Sequence, residues 1–220
     1  MKIENVEVYG FRAALRGMRN PMNSWDKSDS TFFRPENYAN VDVISVEYPC
    51  IGPNDMKLAL SLIQAGGAHR KFMRQIIVTW DISIPRMIWQ EYDTYKVATV
   101  RNSCSTMHKL GSRDLEPGDF ECYNEAKDRH QLDLINELGA AYRADRTNKN
   151  LHELKLRVTE AFLQMSTCTF SYETALLMYF DRKDHRMPEW SGPGGICDWI
   201  LRLPYMNKFA DAMIQARARD

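Results

Sequence analysis

Residues 76–84, IIVTWDISI, constrain the fold of this chain more than any other stretch. Ile76, Val78, Trp80, Ile82 and Ile84 point one way, Thr79, Asp81 and Ser83 the other, and Ile77 is the single exception. That period of two marks a half-buried strand. Pro85 follows, and proline suits the first turn of a helix because the amide it lacks would be unpaired there anyway. From Met87 the period becomes helical: Ile88, Tyr92 and Tyr95 recur on one face and Trp89 widens it. The helix runs into residues 99–106, TVRNSCST, which offer hydroxyls, an amide, a thiol and a guanidinium with little apolar content. A strand, a helix and then a donor-rich loop are well arranged to present polar groups to an anion.

The flanking sequence supplies the rest of an α/β (α+β) pattern, a small mixed sheet covered by helices. Ile3 to Tyr9 and Val41 to Tyr48 read as strands, and Phe11 to Met18 as a short helix. Residues 19–30 between them form a polar loop with Trp25, either a surface turn or a segment that closes over a ligand. A helix with Met56, Ala59, Leu60 and Ile63 inside is expected to be capped by Asn54 or Asp55 and stopped at Gly66-Gly67. Leu134, Ile135, Leu138 and Tyr142 mark another helix. Leu151, Leu154, Val158, Phe162 and Leu163 mark its neighbour across a short charged turn. Tyr172, Ala175, Leu176 and Tyr179 form a further stripe, and the tail reads as two helical pieces separated by Pro204.

At 220 residues and 44% hydrophobic content, the chain can bury the core of one domain. The expected organisation is a single domain over 1–220, with 111–130 a charged surface excursion and 192–220 a C-terminal helical extension. Lys+Arg and Asp+Glu number 29 each, so the basic excess of an extended nucleic-acid surface is missing. No apolar run approaches a membrane span, and the N-terminus lacks the basic and apolar regions of a signal peptide. The 5 cysteines, without a Cys-x-x-Cys, suit reduced thiols of the cytoplasm.

Self-sufficient catalytic motifs are missing, and the scattered histidines leave no metal set. No catalytic residue can be named from the sequence. The loop can hold a phosphate. Amides of Arg101 to Ser105, the hydroxyls of Thr99, Ser103 and Ser105, and the Asn102 amide supply donors. Lys96 and Arg101 supply charge, and Arg86 or Arg182 can add more. Read otherwise, these residues finish a helix C-terminus, with basic groups complementing its dipole. Cys104 lies three residues from Arg101, and a nearby cation favours a thiolate; the plainer reading is a small residue.

The order Trp80-Asp81-Ile82, Pro85-Arg86, Glu91, residues 95–99 (YKVAT), Cys104 and Lys109-Leu110 resembles the core of the flavin-dependent thymidylate synthases, the ThyX family. Its signature, Arg-His-Arg-x-x-Ser-x-Asn-Glu-x-Ser-x-Arg-Tyr, falls without gaps on Thr94-Tyr95-Lys96, Thr99, Arg101-Asn102, Cys104 and Thr106-Met107. Lys96 for Arg, Thr99 for Ser and Cys104 for Ser are conservative; the other identities are replaced. Gly67, His69 and Phe72 echo the family's turn before the core strand. Lys155, Val158 and Thr159 occupy its Ala-Arg-x-x-Leu-Pro segment. Arg182 and Glu189 match a later arginine and glutamate, and the final arginine falls on Ser191.

The resemblance implies a ThyX-like enzyme acting on dUMP or a related pyrimidine nucleotide. It implies substrate contacts at Arg86, Lys96, Thr99, Arg101–Ser105, Lys155 and Arg182. It also implies FAD near His69, Tyr95 and Lys96, folate and NADPH if the chain is active as a methyltransferase in nucleotide biosynthesis, and a homotetramer. The alternative is a noncatalytic or repurposed nucleotide-binding protein of the same fold, without a metal, membrane or extended nucleic-acid partner.

Overall fold

The computed structural model describes residues 1–33, 43–45 and 48–219, with the backbone alone at 43–45. In chain order come β1 (Lys2–Tyr9), α1 (Phe11–Arg19), β2 (Thr31–Phe33), β3 (Val43–Ser45), β4 (Tyr48–Cys50) and α2 (Pro53–Gln64). Then follow β5 (Ile77–Pro85), α3 (Arg86–Tyr92), β6 (Val100–Ser103), α4 (Glu125–Ala144), α5 (Asn148–Arg157) and β7 (Leu163–Ser171). The chain closes with α6 (Tyr172–Arg182), α7 (Pro188–Ser191), α8 (Ile196–Arg202) and α9 (Met206–Arg217). The fold is the expected mixed α/β type. The strand expected from Val41 is described from Val43, and residues 41, 42, 46 and 47 lie outside the described residues.

The five-stranded sheet has the order β3-β1-β5-β7-β6, with β1 and β3 parallel in the register Val6 to Val43 and Val8 to Ser45. A separate two-stranded sheet pairs β2 with β4 antiparallel, Thr31 opposite Cys50. Strand β5 keeps its alternation: Val78, Trp80, Ile82 and Ile84 are fully buried. In β1, Asn5 takes a left-handed φ of 51°, a conformation Asn tolerates better than most residues. Ile3 and Val6 on either side of it are both buried.

The chain divides into two compact units, one of Met1–Lys2, Ile82–Thr94 and Arg101–Thr167, the other of Ile3–Asp81, Tyr95–Val100 and the residues from Cys168 onward. In the first, Leu110, Leu115, Leu132, Ile135, Leu154 and Val158 form a cluster. Phe120 and Phe162 pack against it at 5.9 Å between ring centroids, edge to face. The charged stretch 111–130 thus contributes Leu115, Phe120 and Tyr123 to apolar packing. The core of the second unit joins Trp80 to Phe170 at 4.6 Å and Phe11 to Tyr172 at 5.3 Å.

Three local readings change. Helix α2 is not capped by Asn54 or Asp55; the carboxylate of Asp29 accepts the amides of both, at 2.8 and 3.0 Å. Helix α3 stops at Tyr92, where Asp93 and Thr94 close a turn, so Tyr95 leaves the helical stripe. Helix α5 ends at Arg157, so Val158 and Phe162 lie beyond it and Leu163 belongs to β7.

Candidate functional site

Beginning with the donor-rich segment, Val100–Ser103 is an edge strand, a place that polar residues suit because one side of the ladder is unpaired. Arg101 points into its own unit. Its Nε donates to Ser166 Oγ at 3.0 Å, Nη1 to Asp93 Oδ2 at 2.7 Å and Nη2 to Gln164 Oε1 at 3.4 Å. The guanidinium lies over Trp89, 3.6 Å from the ring centroid, and Trp89 Nε1 donates to Gln164 O at 3.0 Å. Cys104 N donates to Met165 O and Gln164 Nε2 to Cys104 O, each at 2.9 Å. The guanidinium expected to meet a phosphate is therefore engaged, and so is one of the expected amides.

Beyond Cys104 the chain turns away from the strand and opens a cleft of about 290 Å³, lined by Cys104, Ser105, Thr106, Lys109, Arg113 and Gln164 among others. Cys104 and Lys109 are exposed and Ser105 and Thr106 half-buried. The hydroxyls of Ser105 and Thr106 and the Lys109 ammonium take no partner among the described residues. Arg113 is held by Asp119 through bonds of 2.8 and 2.6 Å. Burial resists ionisation of Asp119, but the Arg113 hydrogen bond and charge, with the Glu116 amide, bring its carboxyl below the usual 3.8. That pair cancels, so Lys109 gives the cleft one net positive charge. A small oxyanion meets there an ammonium and two hydroxyls in a partly enclosed place.

The other expected contacts are distributed as follows. In the same unit, Lys155 Nζ reaches Met107 Sδ at 2.9 Å, one residue beyond Thr106. Arg86 instead donates to Val158 O at 3.2 Å and lies 3.8 Å from Glu160. Asn102 and Ser103 are exposed. In the second unit, Arg182 Nε donates to Tyr95 OH at 3.1 Å and stacks 5.1 Å from the centroid of Trp190. Tyr95 OH also lies 3.4 Å from Asp181; burial first, and Asp181 after it, raise the phenol above its usual 10, against the pull of Arg182. Lys96 is exposed, and Thr99 Oγ1 is 3.5 Å from Val97 O.

His69 lies on a second recess, a groove of about 470 Å³ that it shares with Asn20, Met22, Ser24, Leu62 and Phe72. The 19–30 loop thus meets the His69 turn, and its position is fixed from below. The buried Asp55 carboxylate accepts from Arg19 Nε at 2.6 Å, Ser28 Oγ at 2.7 Å and Ser30 Oγ at 2.5 Å.

Sequence reasoning missed Lys109, Arg113 and Gln164. Gln164 has no sequence signal, because only the pairing of β6 with β7 brings it to Cys104. Lys109 was visible as a cation five residues after Cys104, without a pattern to say that the chain turns back there.

A five-stranded sheet with helices, and a polar turn leaving its edge strand, define a mixed α/β fold. No protein-family model and no curated protein matches the sequence. Solved structures do match. The crystal structure of Thymidylate Synthase X (ThyX) from Helicobacter pylori with FAD and dUMP superposes with a TM-score of 0.68 at 12% identity. It covers 96% of this chain and 99% of that one. A second Helicobacter pylori flavin-dependent thymidylate synthase ThyX, complexed with FAD and dUMP, gives a TM-score of 0.62 at 12% identity, over 98% and 93%. The chain has the ThyX fold.

Proposed function

We propose that this protein binds a pyrimidine nucleotide, dUMP or a close relative, on its ThyX fold, and that the flavin reaction of that fold is weak or lost. The observation that carries this reading is the cleft beside Cys104, whose Lys109 ammonium and Ser105 and Thr106 hydroxyls are uncommitted among the described residues. Lys109 supplies charge to the phosphate and the hydroxyls orient it. Lys155, on α5, reaches Met107 next to Thr106 and lies outside the cleft lining. Arg101 acts by position: clamped on Trp89, Asp93 and Ser166, it holds the edge strand from which the turn departs.

FAD finds fewer donors. The place of the family's Arg-His-Arg reads Thr94-Tyr95-Lys96. Thr94 Oγ1 donates to Glu91 O at 2.7 Å, Tyr95 is tied to Arg182 and Asp181, and only Lys96 is an available cation. These residues do not fit the flavin as the family's do. Each charge-assisted bond contributes roughly 1.5–3 kcal/mol. Losing two lowers flavin affinity by about two to four powers of ten at about 1.4 kcal/mol per tenfold.

A second reading, a flavin-dependent thymidylate synthase that tolerates these departures, is favoured by the groove joining His69 to the 19–30 loop. Assembly follows the family in both readings, as a homotetramer, and a monomeric mass by light scattering at micromolar concentration would contradict it. Calorimetry tests the nucleotide reading: Lys109→Ala should weaken dUMP binding about tenfold, the loss of one charge-assisted bond. An unchanged affinity places the phosphate elsewhere.

A further inference from the structure

We infer a second small-molecule site in the first unit, with the chemistry of a one-ring hydrophobic amine. It is a cavity of about 270 Å³, near the small end of ligand pockets, which span roughly 300–1,000 Å³. Phe120, Tyr123, Leu132 and Ile135 line it with aromatic and aliphatic surface. Leu132 and Ile135 are buried, so this surface belongs to the packed cluster and not to a mobile loop.

Charge selects the occupant. The charged side chains lining the cavity are Glu121 and Asp128, beside the Cys122 thiol and the Tyr123 phenol, and neither lysine nor arginine is among them. Glu121 pairs with the Met1 ammonium, so Asp128 is the carboxylate left to select the occupant. Asp128 uses Oδ2 to accept the Asn124 amide at 2.7 Å. Its other oxygen takes no hydrogen among the described residues. An apolar body between Phe120 and Leu132 with an ammonium toward Asp128 satisfies both halves of the site. An acid of the same size meets the Asp128 carboxylate, whose charge no cation offsets, and is disfavoured. The inference does not depend on the nucleotide reading, whose cleft is cationic.

Cys122 lines the cavity and is exposed, whereas Cys50 and Cys104 are exposed elsewhere. Iodoacetamide alkylation of the three thiols, followed by peptide mass spectrometry, therefore carries its own controls. Phenethylamine is expected to slow alkylation of Cys122 about thirtyfold more than phenylacetate does, because the two differ by two unit charges, each contributing about 1 kcal/mol near contact in water. Cys50 and Cys104 should be unaffected. In Asp128→Asn, which keeps an acceptor for Asn124, the amine preference should disappear while the protein melts normally. No protection of Cys122, equal protection by phenylacetate, equal slowing at all three thiols, or preference surviving in Asp128→Asn overturns the site.

Discussion

Arg101 lies over Trp89, its guanidinium carbon 3.6 Å from the ring centroid, while Nε and Nη1 reach Ser166 and Asp93. The sequence places this arginine among phosphate ligands; the geometry makes it a clamp between α3, β6 and β7. Asp93 is half exposed, so that ion pair contributes little on its own. The stacking and the Ser166 bond contribute more. Arg101→Ala should cost about 1–3 kcal/mol of stability, and Arg101→Lys should recover only part, because an ammonium lacks the planar fork. Thermal denaturation checks this. Unchanged melting with lost nucleotide affinity would make Arg101 a ligand.

A second consequence concerns Asp55, fully buried against Arg19. Burial resists its ionisation, but hydrogen bonds from Ser30, Ser28 and Arg19 outweigh that and lower its pKa from 3.8. A carboxyl depressed on folding stabilises the native state above its unfolded pKa and loses that contribution as the pH falls through the folded value. Asp55→Ala should cost about 3–5 kcal/mol, because it leaves Arg19 buried and unpaired. It should also flatten the acid limb of the stability curve below about pH 4. Denaturant titrations at a series of pH values decide the matter, and an unaltered acid limb would remove Asp55 from the account.

Gly10 begins α1 at φ 92°, and a Cβ there would lie 2.1 Å from Gln75 O. Gly10→Ala should destabilise by more than the roughly 1–2 kcal/mol of left-handed strain alone, since the obstacle is backbone. A variant melting like the parent would mean that α1 does not approach residue 75 this closely.

Glu189 is 9% exposed, and its Oε2 has no partner among the described residues. Glu189→Gln should leave stability unchanged or raise it by up to about 2 kcal/mol, since a desolvated charge is removed. Clear destabilisation in a chemical melt would contradict this.

Strand β5 and the longer helices were legible because their inward residues are large and apolar; the short α7 was not, because Pro188 and Pro193-Gly194-Gly195 read as helix breaks. The neighbouring β7 was not, for the opposite reason. Its buried positions are Ser166, Cys168, Phe170 and Ser171, while Leu163 and Met165 are only half-buried, so its hydrophobic pattern points the wrong way and Leu163 joins the preceding helical stripe. Strand β6 is short and polar because it is an edge. Tyr95 follows Tyr92 at helical spacing, yet the turn at Asp93-Thr94 ends the helix first. The Asp29 cap of α2 comes from 25 residues away in sequence, beyond any local pattern. Of the cleft residues, Cys104 and Ser105 were picked out by type, whereas Lys109, Arg113 and Gln164 were not. Which of their polar groups are already committed depends on pairings that only the fold supplies.

The central claim is that nucleotide binding has outlasted flavin binding on this ThyX fold, and side-by-side calorimetry of the purified protein with dUMP and with FAD tests it most directly. The expected result is a colourless protein that binds dUMP, loses about tenfold in Lys109→Ala, and gives no saturable heat with FAD over the same concentration range. A yellow protein that holds FAD tightly while dUMP gives no heat would contradict it.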